Sequence, residues 1–216
     1  MSLSKVIELA RGELGTTEDP AGSNMTKYGK VYGMNGVPWC VIFLWWIFNK
    51  AGERMAFFGG GKTASCGTLL RWYWQQGLTV PEDQVQAGDI VLLNFNGKST
   101  SDHCGLVTCV YDSDDGISFV DTIEGNTSSS NGSQSNGGMV CAKTRYPSQI
   151  VGVCRPQYQP EVVDDITGHW AEKEIRWCLD KGLMKGYPDG SFHPDKPVTR
   201  AELAAVLRRI TEGRSL

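Results

Sequence analysis

Apolar residues recur at Leu3, Val6, Ile7, Ala10 and Leu14, the spacing of one helical face, and Gly15 stands where such a helix would end. A Gly-, Asn- and Pro-rich stretch then runs to Pro38 and reads as a loop. From Trp39 to Ala51 the chain is almost continuously apolar, which predicts a buried helix closed by Gly52. Cys66 to Gln76 reads as a second, aromatic helix. After Gly88 the pattern shortens to that of strands. Asp89–Phe95, Cys104–Asp112, Ile117–Glu124, Met139–Arg145 and Ile150–Arg155 are short, rich in β-branched residues and separated by Gly, Asn and Asp turns. Helices first and strands after predict an α+β fold with a curved antiparallel sheet.

A boundary falls near residue 160, where Pro156, Pro160 and the Asp164–Asp165 pair follow an apolar segment. It separates a domain of residues 1–158 from a linker and small module of residues 159–216. The first part is large enough to fold alone, and the second is marginal. In the second, Ile175, Cys178, Leu179 and Gly182 mark one short helix, and Leu203, Val206, Leu207 and Ile210 mark another. Tyr187-Pro188-Asp189-Gly190 is the turn between them. Thr199-Arg200-Ala201-Glu202 is a capping box, with Thr199 at the N-cap and Glu202 answering from the third helical position. The module therefore reads as all-α.

Composition narrows the function classes. The chain has 216 residues, 40% hydrophobic and 21% charged, which excludes a disordered tail. Its longest apolar run, Val41 to Phe48, is far short of the roughly 20 residues of a membrane span, so no membrane partner is expected. A formal charge of −3 with mixed signs offers no basic face for nucleic acid. The opening Met-Ser-Leu-Ser-Lys-Val-Ile lacks the basic and apolar regions of a secretion signal, so synthesis and retention in the cytoplasm are expected. The seven cysteines form an odd set with no C-x-x-C pair; their default reading is small buried hydrophobes, and their spacing does not support a metal-binding protein. The Ser/Asn/Gly tract Thr127–Gly138 reads as a surface loop able to rim a groove.

Cys40 stands where a Pro-Trp loop enters the apolar helix, facing the positive end of the helix dipole, a placement that favours a thiolate. Cys66 is a rival, since it also follows a Gly-rich loop and opens a helix. His103 is the sole histidine of residues 1–158 and follows the polar Ser99-Thr100-Ser101-Asp102 turn; a lone histidine is more often structural, but a thiolate mechanism requires an imidazole acid and base. Either Glu124 or Asn126, at the end of the next strand, is placed to orient that ring. Trp39, Trp45, Trp46, Trp72 and Trp74 belong to the core by default, with Trp39 also a candidate for the wall of a substrate groove.

Four segments in order carry a family resemblance: Pro38-Trp39-Cys40 with the helix that follows, Ala87-Gly88-Asp89-Ile90-Val91, Asp102-His103-Cys104-Gly105-Leu106-Val107, and Ile123-Glu124-Gly125-Asn126-Thr127. Together they resemble the CHAP family of cysteine, histidine-dependent amidohydrolases and peptidases that cut peptidoglycan. The resemblance spans nearly all of residues 1–158 and implies a papain-like fold with no cofactor. By position it implies Cys40 as nucleophile in preference to Cys66, His103 as base, Glu124 as the ring-orienting acid and Asn126 as a further polar residue of the site. Some family members bind calcium before the nucleophile; here Glu18, Asp19 and Asn24 lack the dense spacing that would hold it tightly, and no metal is expected.

In the second part, Asp165-Ile-Thr-Gly-His169-Trp170-Ala-Glu, Gly182 to Pro194 and Thr199-Arg-Ala-Glu-Leu resemble an S-layer homology module. That resemblance implies anchoring to a secondary cell-wall polysaccharide, with Arg200 pairing a carboxylate of the polymer and Trp170 packing on a sugar. Such modules usually occur in threes, and a single one predicts self-association as a trimer through residues 161–216. The whole arrangement resembles a phage or prophage endolysin that acts on the Gram-positive wall after release. A wall-binding protein with an inactive CHAP-like domain is the alternative.

Overall fold

The computed structural model of the chain describes residues 3–97, 100–113, 116–129, 132–158, 164–187 and 190–212. Two compact units divide it, residues 1–159 and 160–216. Of the expected turns and linker, Ser99, Pro160, Pro188 and Asp189 lie outside the described residues, as do Ser130 and Asn131 of the polar tract.

The first unit begins with helices α1 (Leu3–Gly12), α2 (Lys27–Tyr32), α3 (Cys40–Ala51), α4 (Arg54–Phe58) and α5 (Cys66–Gln75). Strands β1 (Thr79–Val80), β2 (Ile90–Leu93), β3 (His103–Ser113), β4 (Gly116–Thr127), β5 (Met139–Arg145) and β6 (Ile150–Cys154) follow. They form one sheet in the order β1-β6-β2-β3-β4-β5, with every pairing antiparallel. The expected α+β class is the one observed.

Helix α3 is the centre of this unit. Every residue from Cys40 to Phe48 is buried, because the helix packs against α1, α2 and α4 as well as β3 and β4. That accounts for a sequence apolar on all sides, which would be unstable on a helix with a solvent face. Gly52 ends it in the left-handed conformation, at φ 80°, with its N–H bonded to the carbonyls of Asn49 and Phe48. On the sheet, β2 alternates between two cores: Ile90 and Leu92 join the helices, and Val91 and Leu93 join Val107, Val120, Ile150 and Val153 on the opposite face. Arg155 ties the end of β6 to the start of β2, with Nε 3.0 Å and a terminal nitrogen 2.8 Å from the Asp89 carboxylate.

Several expectations are corrected here. The first helix stops at Gly12, and Leu14 is exposed, because the chain turns away to pair with β5: the Gly15 N–H donates to the Val140 carbonyl and Thr17 bridges Met139. The loop before Pro38 contains α2, capped by Thr26 Oγ1, which accepts from the Gly29 N–H at 3.0 Å. Trp74 is exposed, unlike Trp39, Trp45 and Trp46. Strand β3 begins at His103, paired with Leu93, and β4 continues past Glu124 to Thr127 through a break in register.

The second unit contains α6 (Glu172–Asp180) and α7 (Arg200–Glu212) among its described residues. The capping box forms as expected: Glu202 N–H donates to Thr199 Oγ1 at 3.2 Å, and Thr199 N–H donates to Glu202 Oε2 at 2.7 Å. Asp165 accepts from the backbone N–H groups of Phe192 and His193, which closes the loop between the helices onto its start. Ile166 and Ile175 are buried, but Leu203 and Leu207 of the expected apolar stripe are 47% and 54% exposed. So small a unit holds too little interior to cover both sides of α7.

Candidate active site

Cys40 is the first residue of α3, and its N-cap, Trp39, supplies no side-chain acceptor. The leading N–H groups of the helix are therefore not consumed by a side-chain cap, and the sulfur sits at the positive end of the dipole. Two further thiols surround it. Cys66, the first residue of α5, has its Sγ 3.8 Å from Cys40 Sγ, and Cys104 on β3 completes a group whose sulfurs all lie within 4.8 Å of one another. The rivals of the sequence reading are thus neighbours in space.

His103 is fully buried, and its Nε2 lies 3.0 Å from Glu124 Oε2. The ring interacts electrostatically with Cys40, and with Nε2 on Glu124 its Nδ1 is left without a hydrogen-bond partner. Glu124 is held in turn by Arg145 through two parallel bonds, Nε to Oε1 at 2.7 Å and a terminal nitrogen to Oε2 at 2.5 Å. Thr122 Oγ1 donates to Oε1 at 2.6 Å. Between the strands, Gly105 makes room: a Cβ there would lie 2.8 Å from Glu124 Cγ. Arg145 also stacks over Phe95, 4.6 Å from the ring centroid, and Phe95 packs against the His103 ring.

The electrostatics follow from these contacts. The Cys104 and Cys66 thiols donate to Cys40 and, with the His103 bond and charge, hold its thiol well below the ordinary range despite burial. Burial, and donation to Cys40 and Cys66, push Cys104 well above that range. Cys66 rises too, since donation to Cys40 and burial outweigh the bond it receives from Cys104. Burial alone would lower His103, but its bonds to Cys40 and Glu124 raise it to about 9. Burial would raise Glu124, and Arg145 and His103 overcome it to bring the carboxyl down to about 2. These shifts all favour the same charge arrangement, a Cys40 thiolate beside a His103 imidazolium, backed by a Glu124 carboxylate and the Arg145 guanidinium. A thiolate paired with an acid is equipped for nucleophilic attack and proton return.

Of the remaining candidates, Asn126 is buried at φ 60° in the irregular end of β4, and neither atom of its amide has a partner, so it does not orient His103. The geometry gives that place to Glu124. Trp39 does not line a groove: it is fully buried, and its indole N–H donates to Glu18 Oε1 at 2.9 Å. It lies beneath the site because Gly125 lets β4 approach α3; a Cβ at 125 would lie 2.6 Å from Phe43 and 2.8 Å from the Trp39 ring. In the second unit, Arg200 is exposed at the start of α7 and Trp170 is 88% exposed. Neither lines the groove of about 480 Å³ bounded by Tyr187, His193, Lys196 and Arg209. Arg145, Thr122 and the cluster role of Cys66 and Cys104 were not found from the sequence. The sole hint was the adjacency of Cys104 to His103.

A helix-borne thiolate and a strand-borne imidazole held by a carboxylate define a cysteine-centred site on an α+β scaffold. Comparison with known families matches residues 32–126 to the CHAP domain and residues 164–204 to the S-layer homology domain. The chain therefore carries a CHAP domain followed by an S-layer homology domain. Among curated proteins, a cellulosome-anchoring protein of Acetivibrio thermocellus is 48% identical over 48 residues, 22% of this chain and 11% of that protein. The S-layer protein of Bacillus licheniformis is 34% identical over 73 residues, 33% of this chain and 8% of that protein. S-layer protein EA1 of Bacillus anthracis is 33% identical over 73 residues, 33% and 8% of the two chains. The chain thus spans about a tenth or less of the length of these relatives. No solved structure matches it.

Proposed function

We propose that this protein is a cell-wall lytic cysteine hydrolase, cutting an amide bond of peptidoglycan and held at the wall by its second unit. The observation that carries the reading is the Cys40–His103–Glu124 chain, with Cys40 at the start of α3 and the His103–Glu124 bond at 3.0 Å. The Cys40 thiolate attacks the amide carbonyl, forming a C–S bond. His103 gives its proton to the departing amine as the C–N bond breaks, which leaves a thioester. The imidazole, now neutral, takes a proton from water, whose oxygen adds to the thioester and releases the acid and the thiolate. The N–H groups at the start of α3 stabilise the oxyanion in both halves; one such donor is worth about 2.7–4 kcal/mol in other enzymes.

Glu124 keeps the ring oriented and the imidazolium stable, and Arg145 keeps Glu124 ionised. The S-layer homology domain supports attachment to a wall polysaccharide, with Arg200 and Trp170 as exposed groups for a carboxylate and a sugar face. One observation favours a second reading, a wall-binding protein that does not cleave: Cys40 is only 4% exposed. Digestion of purified Gram-positive sacculi followed by mass spectrometry of the soluble fragments separates the two. New amine and carboxyl ends in equal number support hydrolysis and identify the bond, and sacculi that bind the protein but yield no fragments overturn it.

A further inference from the structure

The proposed chemistry uses one sulfur, yet three are gathered at the site. Cys40, Cys66 and Cys104 come from three different elements, α3, α5 and β3, and their ligand atoms lie within 4.8 Å of one another. Among the described residues they are the one group of three or more His, Cys, Asp or Glu side chains so placed. A Zn–S bond of about 2.3 Å in tetrahedral geometry puts neighbouring sulfurs about 3.8 Å apart. Cys40 and Cys66 already stand at 3.8 Å. The His103 ring, next to Cys104 along β3, is fully buried with its Nε2 on Glu124 and stands outside that sulfur group, so the protein supplies three donors and leaves a fourth position for solvent.

We propose that Cys40, Cys66 and Cys104 form a three-thiolate binding site for a borderline-soft divalent cation, zinc above all, which caps the nucleophile when it is bound. Three Zn–S bonds form, and a water molecule takes the fourth position. The S–H bonds of the coordinating thiols break, and their protons pass to solvent. Binding therefore tightens as pH rises. Entry is from the Cys40 and Cys66 side, 4% and 8% exposed, whereas Cys104 is fully buried. A thiolate cage suits zinc or cobalt and rejects calcium and magnesium, which prefer oxygen ligands. The site is defined by its donors; its inhibitory consequence rests on the reading of Cys40 as nucleophile.

Titration of the full, reduced chain with Co²⁺ tests this directly. The expected result is a tetrahedral thiolate–cobalt absorption that saturates at one equivalent and is displaced by Zn²⁺. Cys66→Ser and Cys104→Ser should each weaken binding at least tenfold, and Cys109→Ser, outside the cluster, should not change it. On the unmutated chain, zinc should protect Cys40 from alkylation, a readout independent of how any variant folds. Absence of a saturable thiolate band, or a band that survives both substitutions, overturns the site. Wall lysis without such a band defeats this inference alone, and a band in a chain that releases no wall fragments defeats the hydrolase reading alone.

Discussion

Replacing Arg145 with alanine should damage both stability and activity. Its guanidinium makes the bidentate contact with Glu124 at 2.7 and 2.5 Å, and the two side chains are 5% and 0% exposed. Removing the cation leaves a buried carboxylate with Thr122 and His103 as its remaining partners. Breaking a buried pair from one side costs about 3–5 kcal/mol, because the surviving charge is left without compensation. At about 2–4 °C per kcal/mol for a unit of this size, the melting transition of the first unit should fall by about 6–20 °C. Wall-lytic activity should fall with it, since Glu124 is then freer to take a proton and support the imidazolium less. Arg145→Lys, which keeps the charge but not the planar fork, should lie between. Calorimetry of the full chain reads the stability, and a cycle with Glu124→Gln isolates the pair, because the double variant should lose less than the sum of the single losses. An Arg145→Ala chain within about 1 kcal/mol of the parent would refute the view that this pair holds the site together.

Four further outcomes follow from the structure. Lytic activity should be bell-shaped in pH, falling on the acid side as Cys40 gains a proton, below the ordinary thiol range, and on the basic side near about 9 as His103 loses its proton. Stability should follow the same groups: the His103 contribution is complete below its ordinary 6.5 and lost as pH rises through about 9, and the Glu124 contribution is complete above 4.5 and lost as pH falls through about 2, which denaturant titrations at several pH values would read. Gly125→Ala should destabilise by about 1–3 kcal/mol, since its Cβ meets Phe43 and Trp39 with no flexible end to yield; an unchanged urea midpoint would contradict the packing argument. With Leu203 and Leu207 about half exposed, the second unit should associate, and sedimentation should find trimers that Leu207→Glu dissociates; a monomer at micromolar concentration would end that expectation.

What was legible in the sequence depended on whether the signal was local. Strand β5 was expected at Met139–Arg145 and is found there, because turn signals at Gly137-Gly138 and Tyr146-Pro147 bound it on both sides. Helix α3 was legible from its continuous apolar run, and Gly52 marked its end. Helices α2 and α4, six and five residues long, carry too little periodic pattern to be read, and α2 depends on a Thr26 cap inside a loop-like composition. At the site, position alone left Cys40 against Cys66 and Glu124 against Asn126. Geometry answers the second by placing Glu124 on His103, and changes the first by placing both cysteines in one cluster. Arg145 was invisible because it reaches Glu124 only through the register of β4 and β5, 21 residues along the chain. Trp39 is in the core, its default place, and its candidacy for a groove wall fails for a related reason. Nothing in the sequence showed that Glu18 would meet its indole and hold it inside.

The central claim is that Cys40 attacks a wall amide with His103 as its acid and base. Turbidity of a Gram-positive cell-wall suspension tests it most directly. The account predicts that the parent chain clears the suspension and that Cys40→Ala and His103→Ala, each shown by circular dichroism to be folded, leave it at the background rate. Clearing by both variants at the parent rate would contradict it.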